Sequence, residues 1–167
     1  MRPERRRAMI DAIFAIKFVH LLAAGVMLGT WLCVALFTLL AHRSGNAAVV
    51  ALISQFIVRA ELTVMAPAFA LQLVGGFPLA WAIGLSPLDE FWIIVSLVLY
   101  AGIVVCWLAA LRIELRIRGV TRQAALDAVP LPASYRPLFR AWCVLAGPVL
   151  AGMIAVYALM IWQPRFD

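Results

Sequence analysis

Four ionisable side chains lie within or beside long apolar stretches of this sequence: Lys17, His20, Arg59 and Glu61. An ionisable group is costly to keep inside a membrane span, so each of them is a candidate for function. His20 is of most interest, because a neutral imidazole binds metals and can exchange a proton near neutral pH. Structural explanations also exist. Lys17 can extend its amine to the membrane interface, and His20 can form a hydrogen bond to a neighbouring helix. Arg59 and Glu61 can lie at the lipid headgroups.

The composition around these residues is that of a membrane protein. Of 167 residues, 66% are hydrophobic and 13% are charged, whereas soluble domains have roughly 45–50% apolar and about 25% charged residues. The net charge of +6 comes from arginines near the ends of apolar runs, where they meet phospholipid headgroups. The sequence therefore predicts a polytopic protein of the lipid bilayer with no nucleic-acid partner. A soluble enzyme, a disordered segment and a disulfide scaffold are all disfavoured.

The apolar runs predict one all-α domain over residues 1–167, a bundle of four transmembrane helices. The predicted spans cover about 9–41, 47–84, 91–118 and 137–163. Each exceeds the length of about 20 residues that crosses a bilayer. Pro67 predicts a kink in the second span. Glu114 and Arg118 have the i,i+4 spacing of an exposed helical ion pair.

The predicted hairpin of the first two spans places a methionine near His20. If the chain turns near Ser44, antiparallel helices bring His20 level with residue 68, and Met65 lies within about one helical turn, some 5 Å, of that level. An imidazole and a thioether can be the two axial ligands of a b-type haem. The other histidine, His42, lies about 33 Å along the same helix, too far to be a second ligand. Three more methionines are alternative axial candidates: Met27, Met153 and Met160.

Two glycines in the first span predict a close helix contact. Gly25 and Gly29 form a GxxxG motif, which lets another helix approach closely. The motif leaves open whether that helix belongs to this chain, to a second copy or to a different membrane subunit.

The distribution of arginines predicts the orientation in the membrane. Five lie on the side of the termini: Arg2, Arg5, Arg6, Arg7 and Arg165. Eight lie on the other side: Arg43, Arg59, Arg112, Arg116, Arg118, Arg122, Arg136 and Arg140. Because the more basic side faces the cytoplasm, the sequence predicts periplasmic termini. The cluster of arginines at the N-terminus favours the opposite orientation.

Several short motifs, in this order and spacing, resemble a bacterial family of predicted integral membrane proteins of unknown function, DUF2269. They are Lys17–Leu22 with Gly29 and Trp31, Ala66–Ala68, Gly75–Gly76, Tyr135, Phe139–Trp142, Gly147–Pro148, Met160 and Pro164. The resemblance covers nearly the whole chain and implies a multi-pass protein of the bacterial inner membrane.

Some of the same residues are more distantly similar to the four-helix, haem-containing bacterial protoporphyrinogen oxidases. The matching positions are Lys17 and His20, then Met65, Pro67 and Ala68, then Arg140, Trp142 and Pro148. This resemblance implies a haem b held by His20 and Met65. The third span, 91–111, lacks the histidine and lysine of that family.

These patterns together predict a small b-haem-binding redox protein. His20 and Met65 would bind the iron, and Lys17 or Arg59 would pair with a haem propionate, a charge-assisted contact favoured at low dielectric. Electrons would pass to a quinone or a partner subunit, or the protein would act on a porphyrin-like substrate. The alternative is a cofactor-free accessory or scaffold protein that assembles through helix contacts.

Overall fold

The computed structural model describes residues 3–164, which form helices and short connections with no strand among them. The elements are α1 (Pro3–Ser44), α2 (Ala47–Ala60), a π-helical turn (Glu61–Met65), α3 (Ala66–Ala82), α4 (Phe91–Leu126) and α5 (Tyr135–Trp162). Because α2, the π turn and α3 form one continuous rod, the described chain contains four helices long and apolar enough to cross a membrane. The predicted all-α bundle of four spans is confirmed. Arg2 and Arg165, which the predicted orientation counts with the termini, lie outside the described residues.

The first hairpin turns within two residues. Gly45 has a φ of +62°, a left-handed conformation that glycine adopts without a steric penalty. The Asn46 side-chain oxygen then accepts hydrogen bonds from the backbone N–H groups of Ala48 at 2.9 Å and Val49 at 3.3 Å. This N-cap satisfies two donors of the first turn of α2 and fixes the antiparallel entry of the second rod.

The π turn lies in the middle of the second rod. The backbone N–H of Ala66 donates to the carbonyl oxygen of Glu61, five residues back. A proline in a helix lacks its N–H and collides with the carbonyl four residues back, so the wider turn accommodates Pro67 without breaking the rod. The predicted kink is thus realised as a π turn, and it directs Glu61 and Met65 into the core. Such turns are frequent at functional sites.

Helix α4 is longer than the sequence suggested. Residues 119–126, which the prediction left in a connection, are helical. Strong helix formers, Gln123 to Leu126, carry the helix past Gly119. Asp127 ends it, and the connection to α5 contains Pro130 and Pro132.

The outer faces of the helices carry large apolar side chains, including Phe18, Val98 and Val144. Contiguous apolar surface of this kind is rare on soluble monomers and is what lipid requires. The inner faces pack into a core centred on Trp31, Trp107 and Trp142. Within the described chain, polar side chains are buried at only a few interior positions.

Candidate functional site

His20 is directed into the bundle. Its side chain is 9% exposed, and the Gln72 side-chain amide donates a hydrogen bond to its Nε2 at 3.1 Å. The ring packs against two glycines of α3, so that a Cβ atom at Gly76 would lie 3.3 Å from His20 Cε1 and one at Gly75 would lie 3.7 Å from Nδ1. The Nδ1 atom of His20 and the Oε1 atom of Gln72 are buried without a hydrogen-bond partner. The imidazole is thus held in place through one nitrogen, and the other nitrogen is without a hydrogen-bond partner.

A cavity of about 350 Å³, here called the His20 cavity, opens beside this ring between α1, α3, α4 and α5. Its walls are mainly apolar, with a few polar side chains such as Lys17, Gln72, Ser96 and Tyr100. Small-molecule and cofactor sites have volumes of about 300–1,000 Å³ and this same mixture of apolar walls and few polar groups. The cavity is therefore suitable for a small, largely apolar ligand.

The structure brings only some of the predicted site residues to this cavity. Lys17 lines it with an exposed side chain. Met65 is fully buried in the core and is not among the residues that line the cavity. Arg59 is exposed on α2 and does not line it either. The alternative methionines all line it: Met27, Met153 and Met160.

The prediction that His20 lies opposite residue 68 of the second rod is wrong, for two local reasons. The hairpin turns at Gly45–Asn46 instead of Ser44, and the π turn adds one residue to the second rod. Together these move the position opposite His20 from residue 68 to about residue 72. In addition, a helical side chain leans toward the N-terminus of its own helix. Because α1 and α3 are antiparallel, this directs the His20 side chain toward Gly76. Met65 lies about 10 Å along the axis from Gln72.

A second interior polar site contains Glu61, a candidate from the sequence, and Glu114, which sequence reasoning missed; the two are here called the acid pair. Glu61 is fully buried and Glu114 is 3% exposed. Trp107 Nε1 donates to Glu61 Oε2, and Trp142 Nε1 donates to Glu114 Oε1 at 2.7 Å. The two carboxyl groups lie close enough to interact electrostatically. Glu61 Oε1 and Glu114 Oε2 have no hydrogen-bond partner.

Both acids were expected at exposed positions. The structural interpretation of Glu61 puts it at the lipid headgroups, and the spacing of Glu114 and Arg118 predicts an exposed ion pair. Instead, the π turn rotates Glu61 inward, and Glu114 shares the buried face of α4 with Trp107 and Thr121. The spacing of three to four residues along that face was visible in the sequence. Because Glu114 and the arginines around it are charged, the sequence favoured an exposed position for Glu114 over the buried face.

Among residues 3–164, no cluster of three or more His, Cys, Asp or Glu side chains could hold a metal ion. A haem iron needs only one or two protein ligands, so this finding leaves the haem prediction untested.

One family of known proteins matches the chain. A family described as predicted integral membrane protein (DUF2269) matches residues 14–164. No curated protein and no solved structure matches it.

Proposed function

We propose that this chain, which belongs to the DUF2269 family of predicted integral membrane proteins, is a small b-haem-binding redox protein of the bacterial inner membrane. The observation that carries the proposal is the position of His20. A buried imidazole with an unpaired nitrogen borders a cavity of about 350 Å³ in the interior of the bundle.

Gln72 supports the imidazole as a ligand. Histidine ligands usually donate their second ring N–H to an acceptor, which fixes the orientation of the ring. The Gln72 amide already bonds to His20, and its Oε1 atom has no other partner. With the amide reversed, Oε1 accepts the ring N–H and the other nitrogen is left to bind iron. Gln72 is therefore the residue that would orient the ligand.

The second ligand we propose is a thioether of the His20 cavity. Met27 and Met153 are buried on α1 and α5 and line the cavity together with His20. Met65, the methionine favoured by the sequence, does not line it. His–Met ligation raises the potential of a haem, and a bound haem supplies reversible one-electron transfer. The apolar walls exclude water from the ring, and Lys17 at the edge of the cavity would pair with a propionate.

The electron partner we propose is a quinone or a second membrane subunit. The His20 cavity includes residues of the 83–90 connection and of the C-terminal end of α5, such as Leu85, Pro87 and Gln163. It is therefore reached from the end of the bundle that bears the N-terminus. With the more basic end of the bundle in the cytoplasm, this end faces the periplasm.

An absorption measurement tests the proposal. The protein is purified in mild detergent from haem-replete cells, and a reduced-minus-oxidised spectrum is recorded for the wild type and for His20→Ala. We expect a Soret band in the wild type and its loss in the variant. Substitutions Met27→Leu and Met153→Leu identify the second ligand through a spectral shift, and Met65→Leu is the matched control that leaves the spectrum unchanged. A colourless wild type contradicts the proposal.

A second candidate function is a cofactor-free accessory protein that assembles through α1. A Cβ atom at Gly25 or Gly29 would have no neighbour within 4 Å, so no other helix of the described chain uses this GxxxG face. Close approach of another helix is what the motif permits. A colourless protein whose detergent-resistant oligomer is lost in Gly25→Leu would favour this function over the first.

A further inference from the structure

The acid pair has no role in the proposed haem site, since neither Glu61 nor Glu114 lines the His20 cavity. Within residues 3–164, each of the two carboxyl groups accepts a hydrogen bond from an indole N–H, the two groups interact electrostatically, and neither forms an ion pair. Two carboxylates buried together without a counter-ion are very unfavourable in apolar surroundings. The pair therefore requires a proton or another positive charge.

A small cavity next to Glu114 supplies a position for one water molecule. It has a volume of about 20 Å³ and is lined by Glu114, Thr38, Ser54 and Tyr135, together with apolar side chains. One water needs about 10–15 Å³ by this measure. Thr38 is 9% exposed, and its Oγ1 atom, like Glu114 Oε2, is buried without a partner. Because buried polar groups are normally hydrogen-bonded, these two atoms indicate a bridging water.

The small cavity is connected to the end of the bundle by two side chains. The hydroxyl of Tyr135, which lines the cavity, lies 3.3 Å from Nδ1 of His42. His42 stacks on Phe139 with ring centroids 3.6 Å apart, which fixes the imidazole. His42 is partly exposed and lies two residues before the end of α1. An imidazole has one nitrogen that donates and one that accepts a hydrogen bond, so His42 can link the Tyr135 hydroxyl to water at the end of the bundle.

From these contacts we infer that Glu61 and Glu114 share a proton, and that this proton exchanges with the aqueous phase at the α1–α2 turn. The route runs from His42 to the Tyr135 hydroxyl, then through the water of the small cavity to Glu114 Oε2, and then between the two carboxyl groups. Chains of acidic residues and histidine mark proton relays in membrane proteins. This inference does not depend on haem binding.

Few other charged groups face the route. Cys143 on α5 interacts electrostatically with Tyr135. Arg118, one turn after Glu114 on α4, is partly buried but forms no ion pair with either acid. The other nearby basic side chains of α2, α4 and α5 are exposed: Arg59, Arg112, Arg116, Arg136 and Arg140. The shared proton is therefore the positive charge that the described interior provides for the acid pair.

Infrared spectroscopy of the full-length protein in lipid tests the shared proton. We expect an acidic-minus-alkaline difference spectrum to contain the carbonyl stretch of a protonated carboxylic acid, and Glu61→Gln and Glu114→Gln each to alter it. Glutamine can still accept the indole hydrogen bond through its amide oxygen, so the fold is retained. Absence of a band that responds to these substitutions overturns the inference. A band that responds to added sodium or calcium salt in place of pH also overturns it, because a cation would then hold the site.

The route is tested by transferring the protein rapidly into D₂O and following the isotope shift of that band. Tyr135→Phe and Thr38→Val each remove a hydrogen-bonding group of the route, and we expect exchange to slow by roughly tenfold or more. Tyr157→Phe, at the other end of α5 and away from the small cavity, is the matched control with the wild-type rate. Exchange that is equally fast in Tyr135→Phe and Thr38→Val overturns the route.

Discussion

The two ends of the bundle are built from the same four helical rods but differ in how much interior space their side chains leave. At the His20 end, small side chains such as Gly76, Ala80 and Ser96 leave a cavity of about 350 Å³. At the Glu114 end, Trp107 and Trp142 fill the interior and donate to the acid pair, and the cavity is only about 20 Å³. The first end has room for a ligand, whereas the second has room for one water. The difference is set by side-chain size on the inner faces.

Loss of an indole donor should have the largest effect on stability. Trp142→Phe removes the hydrogen bond to Glu114 Oε1 and leaves that buried oxygen without a donor. We expect a loss of about 1–3 kcal/mol in the free energy of unfolding, measured by thermal or denaturant unfolding in detergent.

A double substitution checks the cause of that loss. In Trp142→Phe with Glu114→Leu the buried polar group is gone, so the second change should recover part of the stability. If the losses in the free energy of unfolding from Trp142→Phe and Glu114→Leu simply add, Trp142 acts through its volume alone. Its hydrogen bond to Glu114 would then not distinguish this end of the bundle from the His20 end.

A methyl group added at the His20 end should have a smaller effect. In Gly76→Ala the new Cβ lies 3.3 Å from His20 Cε1, and the ring must move by a few tenths of an ångström. We expect a cost of about 1–2 kcal/mol and a shifted Soret band. Gly102→Ala is the matched control, since its Cβ would have open space. If Gly76→Ala and Gly102→Ala have the same stability and the same Soret band, the position of the His20 ring does not depend on its contact with Gly76.

The cap at the first hairpin should have the smallest effect. Asn46→Ala removes the acceptor for Ala48 and Val49, and capping residues contribute about 1 kcal/mol. Because the cap belongs to the Glu114 end, unfolding measurements should show this loss while the absorption spectrum is unchanged. An altered spectrum would mean that the two ends are mechanically coupled.

The sequence was sufficient for the four spans, because length and apolar content decide them. Pro67 indicated an irregularity in the second rod, but a proline alone does not distinguish a kink from a π turn. The residue added by the π turn, together with a hairpin turn at Gly45–Asn46 instead of Ser44, shifted the register by which His20 was paired with Met65. Arg112 and Arg116 beside Glu114 suggested an exposed segment, whereas the periodicity of Trp107, Glu114 and Thr121 indicated the buried face. Burial of a charge depends on partners from other helices, here Trp142, which a single span does not reveal.

The most direct test of the His20 cavity as a haem site is a titration of purified protein with ferric haem, using one variant from each end of the bundle. We expect the wild type and Glu114→Gln to develop the same Soret band at one haem per chain, and His20→Ala to develop none. Equal binding by His20→Ala, or no binding by the wild type, would contradict the assignment of the His20 cavity as a haem site.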